Sequence, residues 1–156
     1  MYIRRFNDDD AEEISNLVCR NFKEVNIRDY SADEMERLAE SYNAEKISVL
    51  ASSAHMYVAC DSNRVVGTGS ISGYWGSKTE SILLTIFVLP EYQHKGIGSS
   101  IIQALESDEY FLRASRIEIP ASITACEFYI KMGYNFKGGK KELDDEGHYQ
   151  MEKFRC

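Results

Sequence analysis

The run from Ser81 to Leu89 is almost continuously apolar, stops at Pro90, and passes through Glu91-Tyr92-Gln93-His94-Lys95-Gly96-Ile97-Gly98 into Ser99-Ser100. No other stretch restricts the fold as much. An apolar run of this length reads as a central strand buried on both faces, and a proline ends it because it has no N–H to give to a ladder. Beyond the glycines, Ile97, Ile101, Ile102 and Leu105 recur at the one-sided spacing of a helix packed on a sheet. Gly96 and Gly98 let the backbone approach an anion closely, and the amides of a helix's first turn have no intrahelical partner. Strand, glycine turn and helix together read as a pyrophosphate site in an α/β setting.

Other glycine loops fit less well. A dinucleotide fingerprint needs a third glycine at the position of Ile101, although Glu118 lies about 20 residues beyond Gly98, where a ribose-binding acid would sit. A Walker A loop fails because no Gly-Lys-Ser or Gly-Lys-Thr follows. A plain strand-to-helix turn with no ligand is the bland alternative.

The rest of the chain supplies elements for a sheet flanked by helices. Tyr2 to Phe6 suits a first strand, and Asp8-Asp9-Asp10 opens a helix with Ile14, Leu17, Val18 and Phe22 as its buried stripe. Ser31 N-caps a second helix carrying Met35, Leu38, Ala39 and Tyr42, and residues 44–53 add a short third. His55 to Cys60 and Arg64 to Ser72 are antiparallel strands joined at Asp61-Ser62-Asn63, and residues 73–78 form an exposed loop. Arg116 to Ile119 is a strand closed by Pro120; Ser122 then caps a helix running to about Met132, which Gly133 stops. Tyr134 to Lys137 and His148 to Arg155 close the sheet as a hairpin.

Gln93-His94-Lys95-Gly96-Ile97-Gly98 resembles the pyrophosphate motif of the GNAT superfamily of N-acetyltransferases: Gln or Arg, two residues, Gly, one residue, Gly or Ala. Downstream, Phe128-Tyr129-Ile130-Lys131-Met132-Gly133-Tyr134 is similar to that family's Phe-Tyr-x-Lys-x-Gly-aromatic segment. The resemblance implies a three-layer α/β (α+β) fold: a mixed, mostly antiparallel sheet of about six or seven strands with helices on both sides, one domain over residues 1–156. It implies acetyl-CoA as cosubstrate, no metal, and direct transfer of acetyl to a primary amine through a tetrahedral intermediate.

That chemistry makes four demands. The diphosphate needs donors, met by the amides of His94, Lys95, Gly96, Ile97, Gly98 and Ser99, the Gln93 side chain and the Lys95 charge. The thioester oxygen needs a fixed donor as it becomes an oxyanion. The resemblance assigns this to a backbone amide at Phe87 or Val88, with a bulge or strand separation nearby. The departing thiolate needs an acid, and the family-matched residue is Tyr129. The amine must lose a proton, which near neutral pH costs roughly 4 kcal/mol for a lysine-type amine but well under 1 for an α-amine. Family members often carry a glutamate for this where the present chain has Ile82; Glu80, two residues earlier on the same strand face, is the substitute candidate. His94 and His148 have a suitable side chain but read more simply as surface histidines. Ser122 stands where the family often has an asparagine that meets the cofactor, and helix capping explains it equally well.

With 156 residues and 44% hydrophobic content the chain can bury a core without disulfides or a metal. Cys19, Cys60, Cys126 and Cys156 are scattered and read as reduced thiols. The absence of a long apolar run and of a leader-like start leads to the expectation of a cytoplasmic protein without membrane contact. A net charge of −7 disfavours nucleic acid and leans towards a cationic small-molecule amine. Tyr30, Tyr42, Tyr74 and Trp75, with Glu24, Asp29 and Glu80, are candidates for the acceptor's wall. Exposed strand edges leave room for a homodimer. A non-catalytic CoA-binding or acyl-CoA-sensing module is the competing function, since Ile82 replaces the usual acid.

Overall fold

The structure is a computed structural model that describes residues 1–155; Cys156 lies outside the described residues. Strand β1 (Tyr2–Arg5) leads to helices α1 (Ala11–Glu24), α2 (Ala32–Ser41) and α3 (Ala44–Ser52). A meander of β2 (His55–Asp61), β3 (Arg64–Gly73) and β4 (Glu80–Val88) follows. Then come α4 (Ile97–Leu105), the short α5 (Glu109–Leu112), β5 (Arg116–Ser122), α6 (Cys126–Lys131), β6 (Asn135–Phe136) and β7 (His148–Phe154). The strands make one sheet in the order β1-β2-β3-β4-β5-β7-β6, with β4–β5 as the parallel pair among antiparallel neighbours. This is the expected mixed sheet with helices on both sides. No helix among the described residues is long and apolar enough to cross a membrane.

Side chains acting on the backbone start the early helices. The Asn7 side chain accepts from the Asp9 amide while Asp10 accepts from the Asn7 amide, and Ser31 and Asn43 cap α2 and α3 by accepting from Glu34 and Lys46 amides. Successive β4 residues show the two layers. Phe87 meets Phe22 of α1 edge-on, with ring centroids 5.6 Å apart, whereas Ile86 packs beside Gly69 on the α4 side. Gly67 and Gly69 let α4 lie directly on the β3 backbone: a Cβ at either would come within 2.8 or 2.6 Å of Ile101.

Three local readings of the sequence need correction. β5 does not stop at Pro120 but runs through it to Ser122. Arg155 donates its amide to the Ser115 carbonyl, and alternation along the β5–β7 register from there turns the Pro120 nitrogen away from β7, so its missing N–H removes no ladder bond. α6 begins at Cys126, and Ser122 instead holds the preceding turn by accepting from the Ala125 amide at 3.1 Å. β4 is not packed on both faces throughout: Thr85 to Val88 are only half-buried, because they border a cavity.

Candidate active site

β4 and β5 pair over three residues, Glu80↔Arg116, Ser81↔Ile117 and Ile82↔Glu118, and then part. The paired end is clamped by Arg116, whose guanidinium reaches Glu80 on β4 at 3.3 Å, Glu118 on its own strand at 2.8 Å and Glu152 on β7 at 3.0 Å. Lys137 adds a second cation to Glu118 at 2.9 Å. Beyond Ile82 the strands enclose a cavity of about 1210 Å³.

A bulge shapes the β4 wall. Gly69 faces both Thr85 and Ile86, between the pairs Thr68↔Phe87 and Ser70↔Leu84, and Thr85 takes a left-handed φ of 57°, unusual for a β-branched residue. The bulge at Thr85 and Ile86 thus directly precedes Phe87, and the strand separation covers Phe87 and Val88. The Leu89 amide donates to Val66, so by alternation the Val88 N–H and C=O point away from β3 into the gap. The Val88 carbonyl accepts from Asn21 Nδ2 at 2.9 Å and Gln93 Nε2 at 3.3 Å. Its amide has no strand opposite, and across the gap Pro120 has no N–H at all. The gap therefore presents a donor on one side, the requirement for holding a developing oxyanion.

At the cavity's rim the chain turns through left-handed His94 (φ 62°) and Gly96 (φ 84°) into α4. The first helical bond is Ser100 N–H to the Gly96 carbonyl, and no side chain caps the helix, so the Ile97, Gly98 and Ser99 amides lack an intrahelical partner. His94, Gly96, Gly98 and Ser99 line the cavity. Ile97 is buried in the core and contributes only backbone, while the Lys95 ammonium stands 5.4 Å from the Tyr92 ring centroid. Gly98 also has a packing role, since a Cβ there would lie 3.0 Å from Phe128. The Gln93 amide is turned inward to Asn21 and Val88, so it braces the β4 wall rather than extending the anion cradle.

Tyr129 lines the cavity and is buried, with 5% of the residue exposed. Its hydroxyl makes no hydrogen bond among the described residues, yet every fully enclosed side-chain nitrogen or oxygen among them has a partner. The hydroxyl therefore opens on the cavity. Burial pushes its pKa up and keeps it protonated through the neutral range.

The acceptor wall differs from expectation. Glu80 is bound to Arg116 at the clamped end and does not line the cavity, which takes it out of reach of an acceptor there. Trp75 is 89% exposed, and Tyr74 covers Arg116 and Lys137 at the same clamped end. Glu24 pairs with Arg20, and Asp29 accepts from Thr124. Tyr30 and Tyr42 do line the cavity, together with Glu34, Glu146 and His148, which sequence reasoning had not joined. The missing signal is long-range: Tyr30 Oη donates to the Gly147 carbonyl at 2.6 Å and accepts from the Ile123 amide at 2.9 Å, drawing three distant segments together.

A family model described as an acetyltransferase (GNAT) domain matches residues 52–136, just over half of the chain. No curated protein matches. Similar solved structures include a GCN5-related N-acetyltransferase from Rhodopseudomonas palustris, with TM-score 0.83 and 22% identity over 99% of this chain and 95% of that one. PaiA N-acetyltransferase from Thermoplasma acidophilum, in complex with coenzyme A, gives 0.82 and 21% over 99% and 98%. An aminoglycoside 6'-N-acetyltransferase complexed with coenzyme A gives 0.73 and 18% over 99% and 97%. At these identities the likeness is one of fold.

Proposed function

This chain belongs to the GNAT acetyltransferase family, and from that premise we propose that it transfers the acetyl group of acetyl-CoA to a primary amine by direct attack through a tetrahedral intermediate. One observation carries the proposal: the uncapped α4 amides, the Val88 edge and the Tyr129 hydroxyl all open on a single cavity. The amides of Gly96 to Ser99 receive the diphosphate, with His94 at the turn and Lys95 adding charge. The amide of Val88, flanked by Phe87, receives the carbonyl oxygen as it gains charge. Tyr129 donates its proton to the departing sulfur; the walls that desolvate the phenol also raise the thiolate's affinity for a proton. Ser122 shapes the rim opposite.

A non-catalytic CoA-binding module is the second reading, favoured by Ile82 in place of an acid and by the pairing of Glu80 with Arg116. The two separate in one experiment: calorimetric titration with acetyl-CoA, then thiol release with a panel of mono- and diamines. Saturable binding with amine-dependent release is the expected result, and binding without release with any amine supports the second reading. Tyr129→Phe is expected to lower kcat about 100-fold with cofactor affinity unchanged. Gly98→Glu, which meets Phe128 and puts a carboxylate in the cradle, abolishes binding and serves as the blank.

A further inference from the structure

Resting on the acetyl-transfer reading, we infer that His148 is the group that takes the proton from the acceptor amine. Its position follows from the register. Ser122↔His148 and Pro120↔Gln150 are directly opposed pairs, so these four side chains share one face of the sheet, and all four line the cavity. Ile117, Ile119 and Ala121 occupy the other face, where α4 and α6 pack, α6 meeting α4 through Phe128 and Gly98. Tyr129, on α6, therefore approaches the β4–β5 gap from one side and His148 from the other.

His148 is held in place while its ring stays uncommitted. Its amide donates to Asp144 Oδ1 and its carbonyl accepts from the Asp144 amide, both at 2.9 Å. The preceding carbonyl, of Gly147, is bound by Tyr30, and Gly147 has φ 79° with room for no Cβ, which would lie 2.9 Å from the Tyr30 ring. The imidazole has no hydrogen-bond partner among the described residues, leaving its nitrogens for a ligand. The charged groups bordering the same cavity are Asp144 and Glu146 on its own turn, Glu34 and Arg37 on α2, and Glu127 and Lys131 on α6. Carboxylates outnumber cations there, and Tyr30 and Tyr42 add aromatic faces; this surface suits an amine carrying a second positive charge.

The step balances as follows. An ammonium gives one proton to His148, and the neutral amine's lone pair forms the C–N bond. The C–S pair leaves with sulfur, which takes the Tyr129 proton; the second nitrogen proton returns to the phenolate. CoA departs as thiol, and the net proton leaves through His148.

The test is the pH profile of kcat/KM for 1,4-diaminobutane, with butylamine for comparison. Wild type is expected to lose activity on the acid side, where a base that must accept the amine's proton is already protonated. His148→Gln is expected to lose that limb and about 100-fold in kcat/KM at neutral pH, with calorimetric affinity for acetyl-CoA unchanged. Added imidazole restores part of the activity of His148→Ala. A His148→Gln enzyme whose profile overlays wild type overturns the assignment while the function stands. Failure of wild type to acetylate either amine, despite binding acetyl-CoA, overturns the function proposed above and this inference with it.

Discussion

The two ends of the β4–β5 pair are built on opposite principles. At the clamped end the buried charges are answered within the protein: Arg116 by three carboxylates, Glu118 by two cations, and Asp108 by Tyr57, His55 and the Tyr110 amide. α5 is tied to that end through Ser81 Oγ, which donates to the Tyr110 carbonyl. At the open end, a few residues along the same strands, donors are left without acceptors: the Val88 edge, the first turn of α4 and the Tyr129 hydroxyl. A sheet that satisfied both ends equally would be more stable and would have nothing to offer a ligand. The difference separates residues whose loss is read in stability from those whose loss is read in turnover.

The strongest way to break the comparison is Arg116→Met. It leaves buried Glu118 and half-buried Glu152 with reduced neutralisation, and a loss of about 3–5 kcal/mol in urea unfolding is expected. A loss under about 1 kcal/mol would show that the clamp is not what holds the strands together. A matched tyrosine pair gives a smaller and sharper contrast. Tyr134 is fully buried and donates to Glu106, which Lys153 also binds, so Tyr134→Phe should cost about 1.5–3 kcal/mol. Tyr129→Phe removes a hydroxyl with no partner among the described residues and should change stability by less than about 0.5 kcal/mol while turnover falls. Equal stability effects would erase the distinction between the ends.

A third contrast is one of pH. Burial pushes the Asp108 carboxyl up, but hydrogen bonds from Tyr57, the Tyr110 amide and His55 outweigh it and hold the group below the ordinary carboxylate range. Because the native value is depressed, this stabilisation is complete above the unfolded value of about 3.9 and is lost as pH falls through the native one. Tyr57→Phe should therefore cost about 1 kcal/mol near neutral pH, with the gap to wild type narrowing in acid, as read from urea midpoints at about pH 7 and about pH 3.

Much of the open end was legible in the chain. The strand, proline and glycine-spaced turn are contiguous, and the chemistry of the α4 amides follows from local backbone rules. Tyr129 was legible through its surrounding segment. The clamped end was not: Arg116 meets Glu80 and Glu152, each 36 residues away, and alternation gave the face of Glu80 correctly but not its partner. His148 was seen as a surface histidine because Tyr30 and Gly147, 117 residues apart, must meet before it borders a cavity. Gln93 matched its motif, yet a neighbouring strand carbonyl competes for its amide, something spacing cannot register. Pro120 read as a stop because the sequence carries no mark that its nitrogen faces a gap.

The contact of Gly67 and Gly69 with α4 makes the helix a lever resting on a fulcrum inside the sheet. The amides proposed to hold a diphosphate sit at one end of that lever, while the surface setting its height is two glycines on β3 that do not line the cavity. A side chain introduced there would press on Ile101 and shift the arm, so drift deep in the interior would surface at the rim.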